Sequence, residues 1–219
     1  MNMQNNSRDR YIYIVFMITT TGIGKVIRTV TRHPYNHASL SLYPDLRVSY
    51  TFARLHVDAP FCGGFTMESL RRFPRDERTV FKVCRLALNE EEYRKLCSYL
   101  RPFVDSPDDY VYNILSAATH VFGHRFRLSK SYTCIEFVTD ALRASGCLSG
   151  IPDFCSIEDL ENLLADRVVY EGPALHYPLP ESWCRDTYPE RLGAVQGVRY
   201  TASNIRKMLS MAGNEKIRK

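Results

Sequence analysis

The chain has 219 residues, 45% of them apolar, and a formal net charge of +5. That length and apolar share suffice to bury one core, and no stretch approaches the ~20 apolar residues of a membrane-spanning helix. Seven cysteines, at 62, 84, 97, 134, 147, 155 and 184, form an odd set without a framework spacing, which points to reduced thiols and a cytoplasmic address.

Residues 1–10 read as a flexible start. Tyr11 to Ile18 is short, aromatic and β-branched, with no small-residue cleavage site after it, so it reads as a first buried strand and not as an export signal. Gly22-Ile23-Gly24-Lys25 lacks the frame of a phosphate-binding loop. Ile23 to Thr31 sets Val26, Ile27 and Val30 against Lys25, Arg28 and Arg32, a short amphipathic helix.

His37-Ala38-Ser39-Leu40-Ser41-Leu42-Tyr43 alternates polar and apolar residues, Pro44-Asp45 marks a turn, and Arg47 to Phe52 resumes a β-rich run. This predicts a hairpin with His37 at its entrance. Residues 55–78 hold Pro60, Gly63, Gly64, Pro74 and many charges, and read as a long loop bordering a site. Thr79 to Leu88 alternates as a strand. Asn89-Glu90-Glu91-Glu92 then starts a helix whose apolar stripe is Tyr93, Leu96, Cys97 and Leu100. Pro107-Asp108-Asp109 breaks the chain before a second helix, about 111–122. His120 and His124 are four apart on that helix, but the intervening residues supply neither the acidic base nor the third ligand of a zinc site. Cys147 and Cys155 match no finger or ribbon spacing. No metal or cofactor is expected.

The most informative segment is Ser131 to Val138. Thr133 followed by Glu136 is a capping box, which makes Cys134 the first residue of a helix that Gly146 stops. A thiol there faces free backbone N–H groups and the positive end of the helix dipole, which favours the thiolate. Such a nucleophile needs a base that is adjacent only in space, and His37 on its strand is the candidate. Residues 199–219 carry six basic side chains against Glu215 alone, so the rest of the chain is neutral. They read as a solubilising basic tail. Ile205, Met208, Leu209 and Met211 give its middle helical amphipathicity, which leaves weak contact with an anionic membrane open; there is no clear nucleic-acid signal.

Taken together, the His-Ala-Ser-Leu-Ser-Leu strand, its hairpin partner and the Thr-Cys-Ile-Glu-Phe-Val helix resemble the circularly permuted branch of the papain-like NlpC/P60 superfamily. That branch includes permuted papain-like amidases and lecithin–retinol acyltransferase-like enzymes. The likeness extends to a subgroup of uncharacterised bacterial proteins through Thr31 to His37, Tyr50 to Arg54, Gly63-Gly64-Phe65, Tyr112 to Leu115 and Val169 to Gly172. The resemblance implies an α+β fold over residues 11–198, an antiparallel sheet packed on helices that include the cysteine helix. It also implies Cys134 as nucleophile and His37 as base. Relatives place an imidazole-orienting residue about a dozen positions after the histidine; here that window is Ser49-Tyr50-Thr51. Ser49 lies at the family spacing, and a one-residue register slip would exchange it and Thr51 for Tyr50. Tyr132 is a candidate oxyanion or substrate contact. The leading expectation is a cysteine peptidase, amidase or acyl-transfer enzyme working on a peptide-, amide- or acyl-bearing substrate. A lipid-directed thioesterase or acyltransferase and a catalytically inert binding module are the alternatives.

Overall fold

The computed structural model describes residues 10–18, 33–59, 62–119, 128–180, 186 and 188–217. The amphipathic helix expected at 23–31, His120, His124 and Cys184 lie outside them. The first strand, β1 (Arg10–Ile18), is buried along most of its length, as its apolar run requires. It is flanked by β2 (His37–Ser41) and β5 (Val80–Leu88), both antiparallel to it. With β3 (Ser49–Arg54), β4 (Gly63–Glu68) and β8 (Val168–Pro173) they form one antiparallel sheet in the order β4-β3-β2-β1-β5-β8. The molecule is therefore α+β.

Alternation along the strands divides the interior in two. Ile12, Ile14 and Phe16 of β1, Ala38 and Leu40 of β2, and Phe52 and Phe65 of the next two strands face a large core. Against it pack α1 (Glu90–Asp105), through Leu96, Leu100 and Phe103, and α3 (Cys134–Ser145), through Ile135, Phe137, Val138, Ala141 and Leu142. Tyr13, Val15 and Met17 point the other way, into a smaller cluster with Leu70, Phe81, Val83, Ala174 and Leu179. Both sheet faces are thus covered, and burial of these apolar surfaces is the main stabilising term.

Two segments depart from expectation. Within residues 55–78, read as loop, Gly63 to Glu68 is strand β4, fully paired with β3 from Ser49↔Glu68 to Arg54↔Gly63. The glycines that suggested a turn are there because the neighbouring chain runs close: a Cβ on Gly63 would lie 2.6 Å from the Tyr112 Cβ, and one on Gly64 2.8 Å from the Tyr110 carbonyl oxygen. The helix expected at 111–122 starts later. Val111-Tyr112 is a short strand, β6, parallel to β7 (Ser131–Tyr132), and Asn113 then accepts the Ser116 N–H at 2.9 Å to start α2 (Ile114–Thr119). A β-branched and an aromatic residue favour the strand, and an Asx cap favours starting the helix behind it.

The C-terminal region also differs from a frayed tail. After α4 (Ile157–Leu163) and β8, residues Ala194–Ile217 form one long helix, α5. Asn204 donates from Nδ2 to the Gly63 carbonyl at 2.8 Å, and Lys207 donates to the Asp108 carbonyl at 2.9 Å. None of the described helices is long and apolar enough to cross a membrane.

Candidate active site

Cys134 stands where the capping box puts it. Thr133 is the N-cap: its hydroxyl accepts the Glu136 N–H at 3.3 Å, and Glu136 Oε2 accepts the Thr133 N–H at 2.7 Å. Gly146, with φ of 79°, closes the other end in the left-handed region that favours glycine. The other Glu136 oxygen accepts the Ser116 hydroxyl at 2.8 Å, so this carboxylate is committed to holding the helix end in place. The first intrahelical bond runs from Phe137 N–H to the Thr133 carbonyl. The N–H groups of Cys134 and Ile135 precede it and are the donors offered at this terminus.

His37 opens β2 and its imidazole is electrostatically linked to the Cys134 side chain. The cysteine is 5% exposed and the histidine 9%, so each keeps a small solvent-facing fraction. His37 donates from Nε2 to Glu68 Oε1 at 2.9 Å. Burial by itself would drive the proton off the imidazole; the Glu68 charge, with the influence of Cys134 and the hydrogen bond to Glu68, outweighs it and holds His37 up at about 10. Burial likewise pushes the Glu68 carboxyl up, but His37 and then Arg72 outweigh it and hold the group below its ordinary range. At neutral pH the two form a buried imidazolium–carboxylate pair.

The carboxylate is itself held. Its second oxygen accepts from Arg72 Nη1 at 2.9 Å, and Arg72 Nη2 reaches Asp186 Oδ1 at 2.8 Å. Asp186 Oδ2 also accepts the Ser69 N–H at 3.0 Å, and the Arg72 guanidinium lies 4.3 Å from the Tyr188 ring centroid. A line of alternating charge thus runs from His37 through Glu68 and Arg72 to Asp186, joining β2, β4, the turn behind it and a segment more than a hundred residues downstream.

The third-position candidates resolve differently from the sequence expectation. Ser49 is buried but its hydroxyl has no partner among the described residues. Tyr50 faces the large core, stacked on Phe65 with centroids 6.4 Å apart. Thr51 spends its hydroxyl on the Ala38 carbonyl at 2.8 Å. The imidazole's partner is Glu68, which the sequence reading placed in a loop. Ser49 is its cross-strand neighbour, so the expectation found the right row of the sheet one strand short. Tyr132, the other candidate, packs its ring against Phe52 and Phe103, with centroids at 5.1 and 5.5 Å.

Tyr112 is electrostatically linked to the cysteine. Burial, then the negative charge offered by Cys134 and by Glu136, holds its phenol well above the ordinary tyrosine range. It therefore keeps its proton and remains a donor. Its sequence signal was the Gly63-Gly64 pair, which marks a close approach without saying of what. Among the described residues no three His, Cys, Asp or Glu side chains are grouped so as to hold a metal ion.

A thiol, an imidazole and a carboxylate in series, beside free helix N–H groups, can exchange a proton and stabilise developing negative charge. No family model matches the chain, and no curated protein or solved structure matches it.

Proposed function

We propose that the protein is a cysteine-dependent hydrolase, an amidase or peptidase, or an acyl-transfer enzyme, built on a permuted papain-like NlpC/P60-type fold. The observation that carries this reading is the series Cys134–His37–Glu68 at the start of a capped helix, in which His37 is hydrogen-bonded to Glu68 and electrostatically linked to Cys134. The α+β sheet order and the His-strand-before-Cys-helix arrangement are compatible with that fold.

In the proposed reaction the Cys134 proton resides on the His37 imidazolium, which Glu68 stabilises, and the sulfur reacts as the thiolate beside it. The sulfur attacks a carbonyl carbon, the oxyanion is met by N–H groups of the α3 first turn with Tyr112 as a further donor, and His37 returns the proton to the leaving group. A thioester on Cys134 remains. Water resolves it to a free acid and a thiol; an amine or alcohol resolves it by transfer.

The test is acylation by p-nitrophenyl acetate, followed as intact mass and as released nitrophenolate, in the parent chain, Cys134→Ala and His37→Ala. The expected result is an acetyl adduct in the parent, none in Cys134→Ala, and acylation slowed roughly 10²–10⁴-fold in His37→Ala. Equal acylation of all three overturns the proposal.

A further inference from the structure

Helix α5 carries two different stripes. Gly197, Thr201, Asn204, Met208 and Met211 are buried or half-buried, and this is the face that docks on the body. Asn204 is bonded to Gly63, a Cβ on Gly197 would meet the Asp58 carbonyl at 3.4 Å, and the Tyr200 ring packs at a tilt beside His56 with centroids 5.2 Å apart. One step round the helix, Val195, Val198, Ala202, Ile205 and Leu209 recur at alternating intervals of three and four and are all exposed, Val195 by 74%, Val198 by 69% and Leu209 by 62%. That spacing places them on one line about 21 Å long.

Arg199 and Arg206 follow the second and fourth of these residues, so both lie along the same flank of the apolar line, and both are exposed. Neither guanidinium has an acidic partner among the described residues. A second copy of this chain would bring no counter-charge to them: the positions across such a seam are Ala194, Thr201 and Met208, and the last two belong to the half-buried docked face. An apolar line edged by unneutralised arginines is instead complementary to a surface that is apolar within and negatively charged at its rim.

We infer that the exposed face of α5 is a docking surface for an anionic lipid bilayer, on which the helix lies parallel to the membrane plane with Val195, Val198, Ile205 and Leu209 entering the acyl boundary and Arg199 and Arg206 meeting headgroup phosphates. The helix is anchored to the body by its other face, so the whole domain is carried to the membrane. This surface is separate from Cys134 and does not depend on its chemistry.

Flotation of the full chain with phosphatidylglycerol-rich vesicles and with pure phosphatidylcholine vesicles tests it. The expected result is binding to the first, weak or no binding to the second, and reversal by high salt. Arg199→Gln with Arg206→Gln should weaken binding roughly thirtyfold. Val198→Glu with Leu209→Glu should weaken it at least about tenfold, with circular dichroism unchanged. Equal binding to both vesicles, no binding to either, or a parent dimer that the Val198→Glu and Leu209→Glu pair turns into a monomer would each overturn the inference, the last in favour of self-association.

Discussion

Glu68 reaches over an entire strand to meet His37: β4 and β2 are separated by β3, yet the carboxylate and the imidazole Nε2 are 2.9 Å apart. Residues 31 positions apart in sequence are thereby made into one acid–base unit, and its charges are balanced in a place with almost no water.

The pair should be visible in the pH dependence of stability. His37 is raised from an unfolded value of roughly 6.5 to about 10. Its contribution is therefore fully present below the unfolded value and is lost as pH rises through about 10. Glu68 is lowered, so its contribution is present above the unfolded carboxyl value and is lost as pH falls through the folded one. Urea unfolding from mildly acidic to alkaline pH should show both limbs, and Glu68→Gln should flatten the alkaline one. An unchanged alkaline limb in that variant would show that the pair does not form.

NMR titration of the His37 ring gives a second, local measure. Glu68→Gln should bring its midpoint down, because burial is then opposed by the influence of Cys134 without the Glu68 charge. Arg72→Gln should not bring it down, since Arg72 competes with the imidazolium for the same carboxylate. The opposite ranking of the two variants would contradict the charge order proposed along this line.

Arg72 sits between two buried carboxylates. Truncating it to Ala leaves Glu68 and Asp186 facing one another without the guanidinium, and breaking a buried pair in this way costs about 3–5 kcal/mol. Asp186→Asn keeps the hydrogen-bonding shape and should cost less. A double-mutant cycle on Arg72 and Asp186 measured by denaturant unfolding should show clear coupling; additive losses would mean that the contact contributes nothing.

Thiol reactivity distinguishes Cys134 from its neighbours. Burial pushes Cys84 up to about 12 and Cys155 up to about 11, and it also raises Cys62 and Cys147. Iodoacetamide at neutral pH, read by peptide mass, should therefore mark Cys134 ahead of those four, and His37→Ala should slow it. A Cys134 that labels no faster than the rest would favour an inert binding module.

The helix cap supports the same site. Thr133→Ala removes the acceptor for the Glu136 N–H and should cost about 1 kcal/mol. Because that cap sets the position of Cys134, iodoacetamide labelling should slow more than in a surface Ser→Ala control such as Ser203→Ala.

What the sequence determined by itself was local. A capping box, a C′ glycine and an alternating strand are written in neighbouring residues, because the hydrogen bonds and side-chain periods that define them span only a few positions. Cys134 at the head of its helix, His37 at the head of its strand and the buried strand at Tyr11–Ile18 were legible for that reason. Glu68 was not: its segment carries two glycines and many charges, which locally spell a loop, and those glycines answer to Tyr110 and Tyr112 from a distant part of the chain. The same holds for Arg72 with Asp186, for Tyr112 beside Cys134, and for α5, whose docked face exists only because Gly63 and Asp108 lie beneath it. Which strand neighbours which, and which buried charge meets which, is decided by packing the sheet against its helices. Only then does the cost of leaving a charge or a polar group unpaired in the interior select its partner.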